Sequence, residues 1–167
     1  MRRHLLALVA GLLLLACEVG APAGPTPPIR PGTSGAPREV NVVLKDWVFL
    51  PDPIDVIAGE TVVLHIVNGG LEVHELVIGD QTVQDAWERA EAAAANPPPG
   101  PTPLVSVPAG PEGLRVVVAS GQRVDLAWTV PASPASVAAL VVGCHIPGHW
   151  DKGMRADLRL APGAASS

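Results

Sequence analysis

Short runs of alternating apolar and polar residues dominate the chain after residue 37, and turn-forming residues separate them. The runs that we interpret as strands are 39–44, 47–49, 54–57, 61–67, 72–78, 104–107, 115–119, 123–130, 137–144 and 154–160. Clusters of Gly, Pro, Asn and Asp between them predict turns. Many short strands with this spacing predict an all-β sandwich or barrel.

The segment 82–95 departs from this pattern, because it is rich in alanine and other helix formers and contains no Gly or Pro. Thr82 and Asp85 are predicted to cap its start, and the Asn-Pro-Pro-Pro run at 96–99 to end it. Helical spacing predicts a buried face made of Val83, Ala86, Trp87 and Ala90. We therefore expect a short helical insertion with a structural role, in which Trp87 is a packing anchor.

The first 17 residues have the pattern of an export signal. Arg2 and Arg3 precede an apolar run over 5–15, which is too short for a membrane-spanning helix. The run ends in Leu-Leu-Ala-Cys at 14–17, which resembles the lipobox of bacterial lipoproteins. That resemblance implies that Cys17 is lipidated and becomes the first residue of the mature protein. The alternative is an ordinary signal peptide that happens to contain a cysteine.

The remaining chain divides into three parts by composition. Residues 18–37 are dominated by Pro, Gly, Ala and Thr and are interpreted as a semi-rigid tether. Residues 38–162 have the size of one ordinary domain, and 163–167 are expected to be a flexible tail. The predicted location is the periplasmic or extracytoplasmic face of the cell membrane, with the domain held there by the lipid on Cys17.

The charge of the chain argues against nucleic acid as a partner. The predicted signal contains two of the 11 Lys and Arg residues and none of the 16 Asp and Glu residues, so the rest carries a formal charge of −7. Phosphate binding requires basic surface.

With Cys17 lipidated, Cys144 has no partner for a disulfide bond. A free thiol in an exported protein is open to oxidation unless a metal protects it. We also expect the domain to be a monomer.

The segment 144–154 brings together three donors that copper prefers. Its sequence, C-H-I-P-G-H-W-D-K-G-M, places Cys144, His149 and Met154 at equal spacing. One Cys, two His and a weak axial Met form the donor set of an electron-transfer copper centre. The Pro-Gly pair at 147–148 and Gly153 predict the turns that fold this loop back on itself. The second histidine must come from upstream.

His74 is the best upstream candidate, because it begins a predicted strand next to the Gly-Gly turn at 69–70. His65 lies in the middle of a strand, on the face opposite Val62, Leu64 and Ile66, and is interpreted as an ordinary strand residue. His145 follows Cys144 directly, so its side chain should point away from the thiol, and we expect no ligand role for it.

The segment N-G-G-L-E-V-H-E-L-V-I-G at 68–79, about 70 residues before C-x4-H-x4-M, resembles the cupredoxins, which are small type 1 blue copper proteins. The resemblance covers most of 39–160, and the equal gaps are similar to those of the rusticyanin and auracyanin members. It implies a Greek-key β-sandwich with one copper ion near one pole. The implied ligands are His74, Cys144 and His149, with Met154 axial.

The resemblance also implies a function and a docking surface. Cupredoxins shuttle single electrons between redox partners, and their loop histidine, here His149, lies beneath an apolar patch. The candidates for that patch are Ile146, Pro147 and Trp150. For Trp150 the alternative is packing over the copper loop, with no docking role. Two features depart from the family: Glu75 stands where several members have Asn or Ser that ties down the copper loop, and the smallest members have no helical insertion.

The sequence argues, to different degrees, against three other functions. A copper carrier or resistance protein would bind the ion without electron transfer, although the chain has no Met-rich or His-rich tract. An enzyme is not expected, because a binuclear copper site needs two bridging cysteines and a nitrite reductase-like site needs a second domain. A structural zinc site is disfavoured, since zinc prefers four Cys or His donors.

Overall fold

The computed structural model describes residues 28–95 and 113–163. The predicted signal, Cys17, the first part of the tether, the predicted strand at 104–107 and the tail after residue 163 lie outside the described residues. The elements of the described chain, in order, are β1 (Arg38–Lys45), β2 (Val48–Leu50), β3 (Ile54–Val56), β4 (Thr61–Asn68), β5 (His74–Gly79), α1 (Gln81–Ala94), β6 (Leu114–Val118), β7 (Arg123–Thr129), α2 (Pro134–Ala138), β8 (Val141–Gly143) and β9 (Arg155–Leu160).

The strands form two sheets that pack face to face. One sheet has the order β2-β1-β4-β7, and the other has the order β3-β9-β8-β5-β6. The pairs β1–β4 and β3–β9 are parallel and the remaining pairs are antiparallel. This mixed two-sheet sandwich is the predicted all-β architecture.

The core lies between the sheets and follows the alternation of apolar residues. On β4, Val62, Leu64 and Ile66 are buried, and the residues between them are partly exposed. Strand β5 differs, because all six of its residues are buried. Its inner residues Leu76 and Ile78 belong to the main core, whereas Val77 packs on the outer side against helix α1. The insertion therefore covers the strand that begins with His74.

Helix α1 occupies the predicted segment, but its cap and its buried face differ from the prediction. The N-cap is Asp80, whose side chain accepts the N–H of Val83, and not Thr82 or Asp85. The buried residues are Val83, Gln84, Ala86, Trp87 and Glu91, so two polar side chains replace the expected Ala90. Trp87 packs with Val77 and Val83, which agrees with a role as an anchor.

The predicted strand 137–144 was wrong at its start. Residues Pro134–Ala138 form helix α2, and the strand begins only at Val141. Ser133 caps this helix and Pro134 occupies its first turn, a combination that stabilises a helix start.

The described end of the predicted tether lies against the sandwich. Ile29 forms a β-bridge with Gly163, and the N–H of Gly32 donates to the buried carboxylate of Glu60. The proposed domain boundaries stay predictions. Within residues 28–95 and 113–163, no helix has the length and apolar character needed to cross a bilayer.

Candidate metal centre

The structure brings His74, Cys144 and His149 together at one pole of the sandwich. Their donor atoms all lie within 4.8 Å of one another, and all three residues are buried. Nδ1 of His149 lies 3.2 Å from Nδ1 of His74 and 3.3 Å from Sγ of Cys144. Donors that bind one ion at about 2 Å are separated by distances of this order. A thiol and two imidazoles converging in this way fit a copper ion.

The loop that carries Cys144 and His149 is closed by backbone hydrogen bonds. Gly148 and Gly153 have φ angles of 83° and 87°, which glycine adopts without strain, and they form the two predicted turns. The N–H of His149 donates to the carbonyl of Ile146. Met154 donates its N–H to the carbonyl of His149 and accepts the N–H of Cys144 through its own carbonyl.

The fully buried side chain of Met154 belongs to the same core cluster as Cys144. Its predicted axial role stays a prediction.

Asp46 orients the His74 ring, a role that sequence reasoning missed. Its Oδ1 lies 3.0 Å from Nε2 of His74, so a hydrogen on Nε2 leaves the Nδ1 lone pair facing Cys144 and His149. Gly70 makes room for this pair, because a Cβ there would lie 2.5 Å from the Asp46 carboxylate. Desolvation opposes ionisation of Asp46, but hydrogen bonds from Glu72, His74 and Leu71 outweigh it and lower its pKa.

Trp47 covers the His149 ring from the side. The two rings meet edge to face, with their centres 4.9 Å apart. The ammonium of Lys152 lies 3.4 Å from the centre of the Trp47 ring. Trp47 has a φ of 73°, which is rare for a residue with a side chain and directs its ring toward the loop. The contact of Trp47 with His149 could not be predicted from the sequence. It depends on the conformation of one turn, and the alternation of apolar and polar residues carries no signal for that conformation.

Glu75 ties down the loop, although it is neither Asn nor Ser. Its Oε1 accepts the N–H of His145 at 2.9 Å, and its Oε2 accepts from Nε of Arg115 at 2.6 Å. The N–H of Glu75 donates to Sγ of Cys144 at 3.4 Å. A carboxylate therefore performs the anchoring that the family resemblance assigned to a neutral side chain, and Arg115 compensates its charge.

The other two described histidines lie outside the cluster. On the outer face of β4, Nδ1 of His65 lies 2.9 Å from Oδ1 of Asp125 and 2.7 Å from Nη2 of Arg123. His145 is buried, but its ring points to Glu88 and Gln84 of helix α1 and stacks on Trp150.

The environment of the Cys144 thiol favours metal binding over reaction as a free nucleophile. Burial, together with the negative charges of Glu75 and Glu91, raises the pKa of Cys144 to about 12, although hydrogen bonds from the backbone of Glu75 and Ile146 oppose the shift. The thiol therefore keeps its proton at neutral pH and releases it only when a cation replaces that proton.

We expect the metal-free protein to lose stability as the pH falls below 6.5. Burial, and then the electrostatic effect of the neighbouring His74, lower the pKa of His149 below its ordinary value of 6.5. Between the lowered pKa and 6.5 the unfolded chain binds a proton that the folded chain does not, so the free energy of unfolding falls as the pH falls.

Urea unfolding between about pH 7.5 and about pH 5.5 measures this slope, and a His149→Gln variant is the control. The prediction is contradicted if that variant shows the same slope as the unchanged chain.

Comparisons with known proteins agree with this site. No protein-family model matches the sequence. The chain is 28% identical to the copper-resistant cuproprotein CopI of Pseudomonas aeruginosa, over 93% of this chain and 97% of the relative. It is 34% identical to the copper-resistant cuproprotein CopI of Rubrivivax gelatinosus, over 77% of this chain and 70% of the relative.

Solved structures with a similar fold include two auracyanins. Reduced auracyanin of Roseiflexus castenholzii superposes with a TM-score of 0.56 at 20% identity, covering 78% of this chain and 100% of that one. Auracyanin A of Chloroflexus aurantiacus, a "blue" copper protein, gives 0.56 at 20% identity, covering 75% and 99%. These likenesses confirm the predicted cupredoxin fold. With the copper-related relatives and the His–Cys–His cluster, they identify copper as the cofactor.

Proposed function

The chain belongs to the family of CopI copper-resistant cuproproteins, and from that premise we propose that it carries single electrons on one type 1 copper ion. The proposed ligands are His74, Cys144 and His149, with Met154 as the axial ligand. The observation that carries the proposal is the convergence of one thiol and two imidazoles in a buried site. Copper bound by such donors supplies a one-electron couple.

The residues around the site serve electron transfer by holding the donors still. Asp46 fixes the His74 ring, and Glu75 fixes the backbone next to Cys144. Backbone hydrogen bonds within the loop, from Met154 to His149 and from Cys144 to Met154, restrict the third donor residue, His149. Ligands that cannot rearrange favour a small reorganisation when the charge of the ion changes. Four protein donors leave no coordination position for a substrate. We therefore propose an electron carrier and not an enzyme.

Electrons would leave through the surface next to His149. Pro147 is exposed and Ile146 partly exposed beside it, while Trp150 lies against the His145 ring. Leu71 is 88% exposed and its N–H bonds to Asp46, which contacts His74, so Leu71 offers an apolar side chain on the His74 side of the site. A small apolar surface suits brief contact with a redox partner. We propose that the docking patch consists of Leu71, Ile146 and Pro147, with Trp150 as a support.

Copper binding for resistance, without electron transfer, is the second candidate, and the name of both relatives, copper-resistant cuproprotein, favours it. The two candidates differ in what leaves the protein. An electron carrier keeps its ion through many redox cycles, whereas a copper carrier gives the ion to an acceptor.

The distinguishing experiment cycles copper-loaded protein between its two redox states in the presence of a Cu(I) chelator. We expect a reversible one-electron wave with the copper retained, and rapid electron exchange between oxidised and reduced copies. Pro147→Asp should slow that exchange without changing the absorption spectrum, because it places a charge in the patch. Loss of the copper to the chelator on reduction would favour the second candidate instead.

Export and the lipid anchor are part of this proposal and rest on residues 1–17 of the sequence. A mature N-terminus at Cys17 with an acyl mass, measured by mass spectrometry of the membrane fraction, is the expected result. A mature chain that begins elsewhere contradicts the anchor.

A further inference from the structure

Helix α1 presents a stripe of three polar side chains to the start of the metal loop. Gln84, Glu88 and Glu91 follow one another at spacings of four and three, so they share one face of the helix. Gln84 is 1% exposed and Glu91 is 6% exposed. Polar residues on a surface helix normally face water, and buried ones need hydrogen-bond partners. Gln84 and Glu88 contact the ring of His145, the residue after Cys144, and Glu91 bonds to Arg115.

The first connection holds the His145 ring at both nitrogens. Nδ1 lies 2.8 Å from Oε2 of Glu88, and Nε2 lies 2.7 Å from Oε1 of Gln84. The amide of Gln84 has only one orientation available, because the two hydrogens of its Nε2 are shared among three backbone carbonyls, those of Val77, Gly79 and Val141. Oε1 is therefore the Gln84 atom that faces Nε2 of the imidazole. The ring of the residue after Cys144 is fixed by the helix and the adjoining strands.

The second connection holds the backbone of the same residue. Glu91 accepts from Arg115 at 2.7 Å, Arg115 donates to Glu75 at 2.6 Å, and Glu75 accepts the N–H of His145 at 2.9 Å. This chain of charge-assisted hydrogen bonds runs from the helix to the peptide bond between Cys144 and His145. Both the side chain and the backbone of His145 are thus linked to helix α1.

Gly143 allows the helix and the loop to approach each other. A Cβ at this position would lie 2.5 Å from Oε1 of Gln84 and 2.6 Å from the ring of Trp150. The residue before Cys144 therefore has to be glycine for the Gln84 contact to form. Packing on this side leaves little room for the loop to shift.

We infer that Gln84, Glu88 and Glu91 are positioning residues that fix the direction of the Cys144 thiol toward the two histidines. The inference rests on the proposed copper function. It assigns the insertion a role beyond covering β5: helix α1 supports the loop from outside through His145 and Glu75. Removal of these contacts should change the properties of the copper site without touching any ligand, as is usual for groups that orient metal ligands.

Glu88→Ala is the main test, because the side chain of Glu88 is 37% exposed and its loss leaves the core packing intact. We expect the ratio of oxidised to reduced protein at a fixed ambient potential to change about tenfold, which corresponds to about 59 mV for one electron. The thiolate-to-copper absorption band should shift as well. In the metal-free protein, the His145 backbone N–H should exchange faster with solvent.

Three variants separate positioning from charge. Glu88→Gln keeps an acceptor for the imidazole and should stay close to the unchanged chain. Asp85→Ala removes a carboxylate from the exposed side of the same helix and should also have little effect. Gln84→Ala is a second positioning variant that leaves the charge unchanged, and it should shift the band and the potential.

The inference is overturned if Glu88→Ala leaves the band, the potential and the amide exchange unchanged. It is equally overturned if Glu88→Gln or Asp85→Ala produces the same shift as Glu88→Ala, since charge alone would then be responsible. If the unchanged chain showed no copper band, the proposed function would fail. The exchange of the His145 N–H in the metal-free protein would still decide whether helix α1 positions the loop.

Discussion

Replacing Cys144 with serine should abolish the intense thiolate-to-copper absorption of the copper-loaded protein completely. The Cys144 thiol is the one sulfur in the His–Cys–His cluster, and a hydroxyl cannot replace a thiolate as a soft donor. The reversible one-electron wave should disappear with the band. Visible absorption after addition of Cu(II) to the purified protein, followed by voltammetry, measures both effects.

His65→Ala is the matched control for the histidine assignment. The His65 ring contacts Asp125 and Arg123 on the outer face of β4, so its loss should leave the absorption band unchanged. His74→Ala should remove the band or shift it strongly, because His74 faces the other two donors. A band that survives in His74→Ala and is lost in His65→Ala would show that the upstream ligand was assigned wrongly.

Arg115→Met should lower the free energy of unfolding of the metal-free protein by about 3–5 kcal/mol. Arg115 donates to both Glu75 and Glu91, whose side chains are 0% and 8% exposed. Burial, and then the negative charge of Glu75, already raise the pKa of Glu91 although Arg115 opposes the shift. Without the guanidinium, two buried carboxylates would face each other with no cation between them. Urea unfolding at neutral pH measures the loss.

Arg159→Met is the control for this effect. Arg159 forms an equally short bond with Asp55, at 2.6 Å, but the two side chains are 62% and 34% exposed. An exposed pair of this kind contributes about 0–1 kcal/mol. If the two variants lost the same stability, burial of the Glu75 and Glu91 carboxylates would not be the reason for the effect at Arg115.

The core of the site could be predicted from the sequence because its residues are close together in the chain or at the start of a strand. Cys144 and His149 lie within one loop, and glycines mark its two turns. His74 follows a turn and begins β5, which places it at the rim of a sheet. Donor type and short-range spacing are both properties that a sequence shows directly.

The surroundings of the site could not be predicted in the same way, because they depend on contacts between distant segments. Asp46 meets His74 across 28 positions, and Glu88 meets His145 across 57. Gln84, Glu88 and Glu91 have the ordinary signal of a solvent-facing helix stripe. Only the packing of helix α1 on β5 and β8 places this stripe at the loop. The Ser-Pro start of helix α2, in contrast, was visible in the sequence and could have corrected the strand predicted there.

X-ray absorption spectroscopy at the copper edge of the loaded protein tests the central claim most directly. We predict one sulfur donor at short distance from the copper together with two imidazole nitrogens, as expected for Cys144, His74 and His149. A copper environment made only of nitrogen and oxygen donors, or one with a single imidazole, would contradict it.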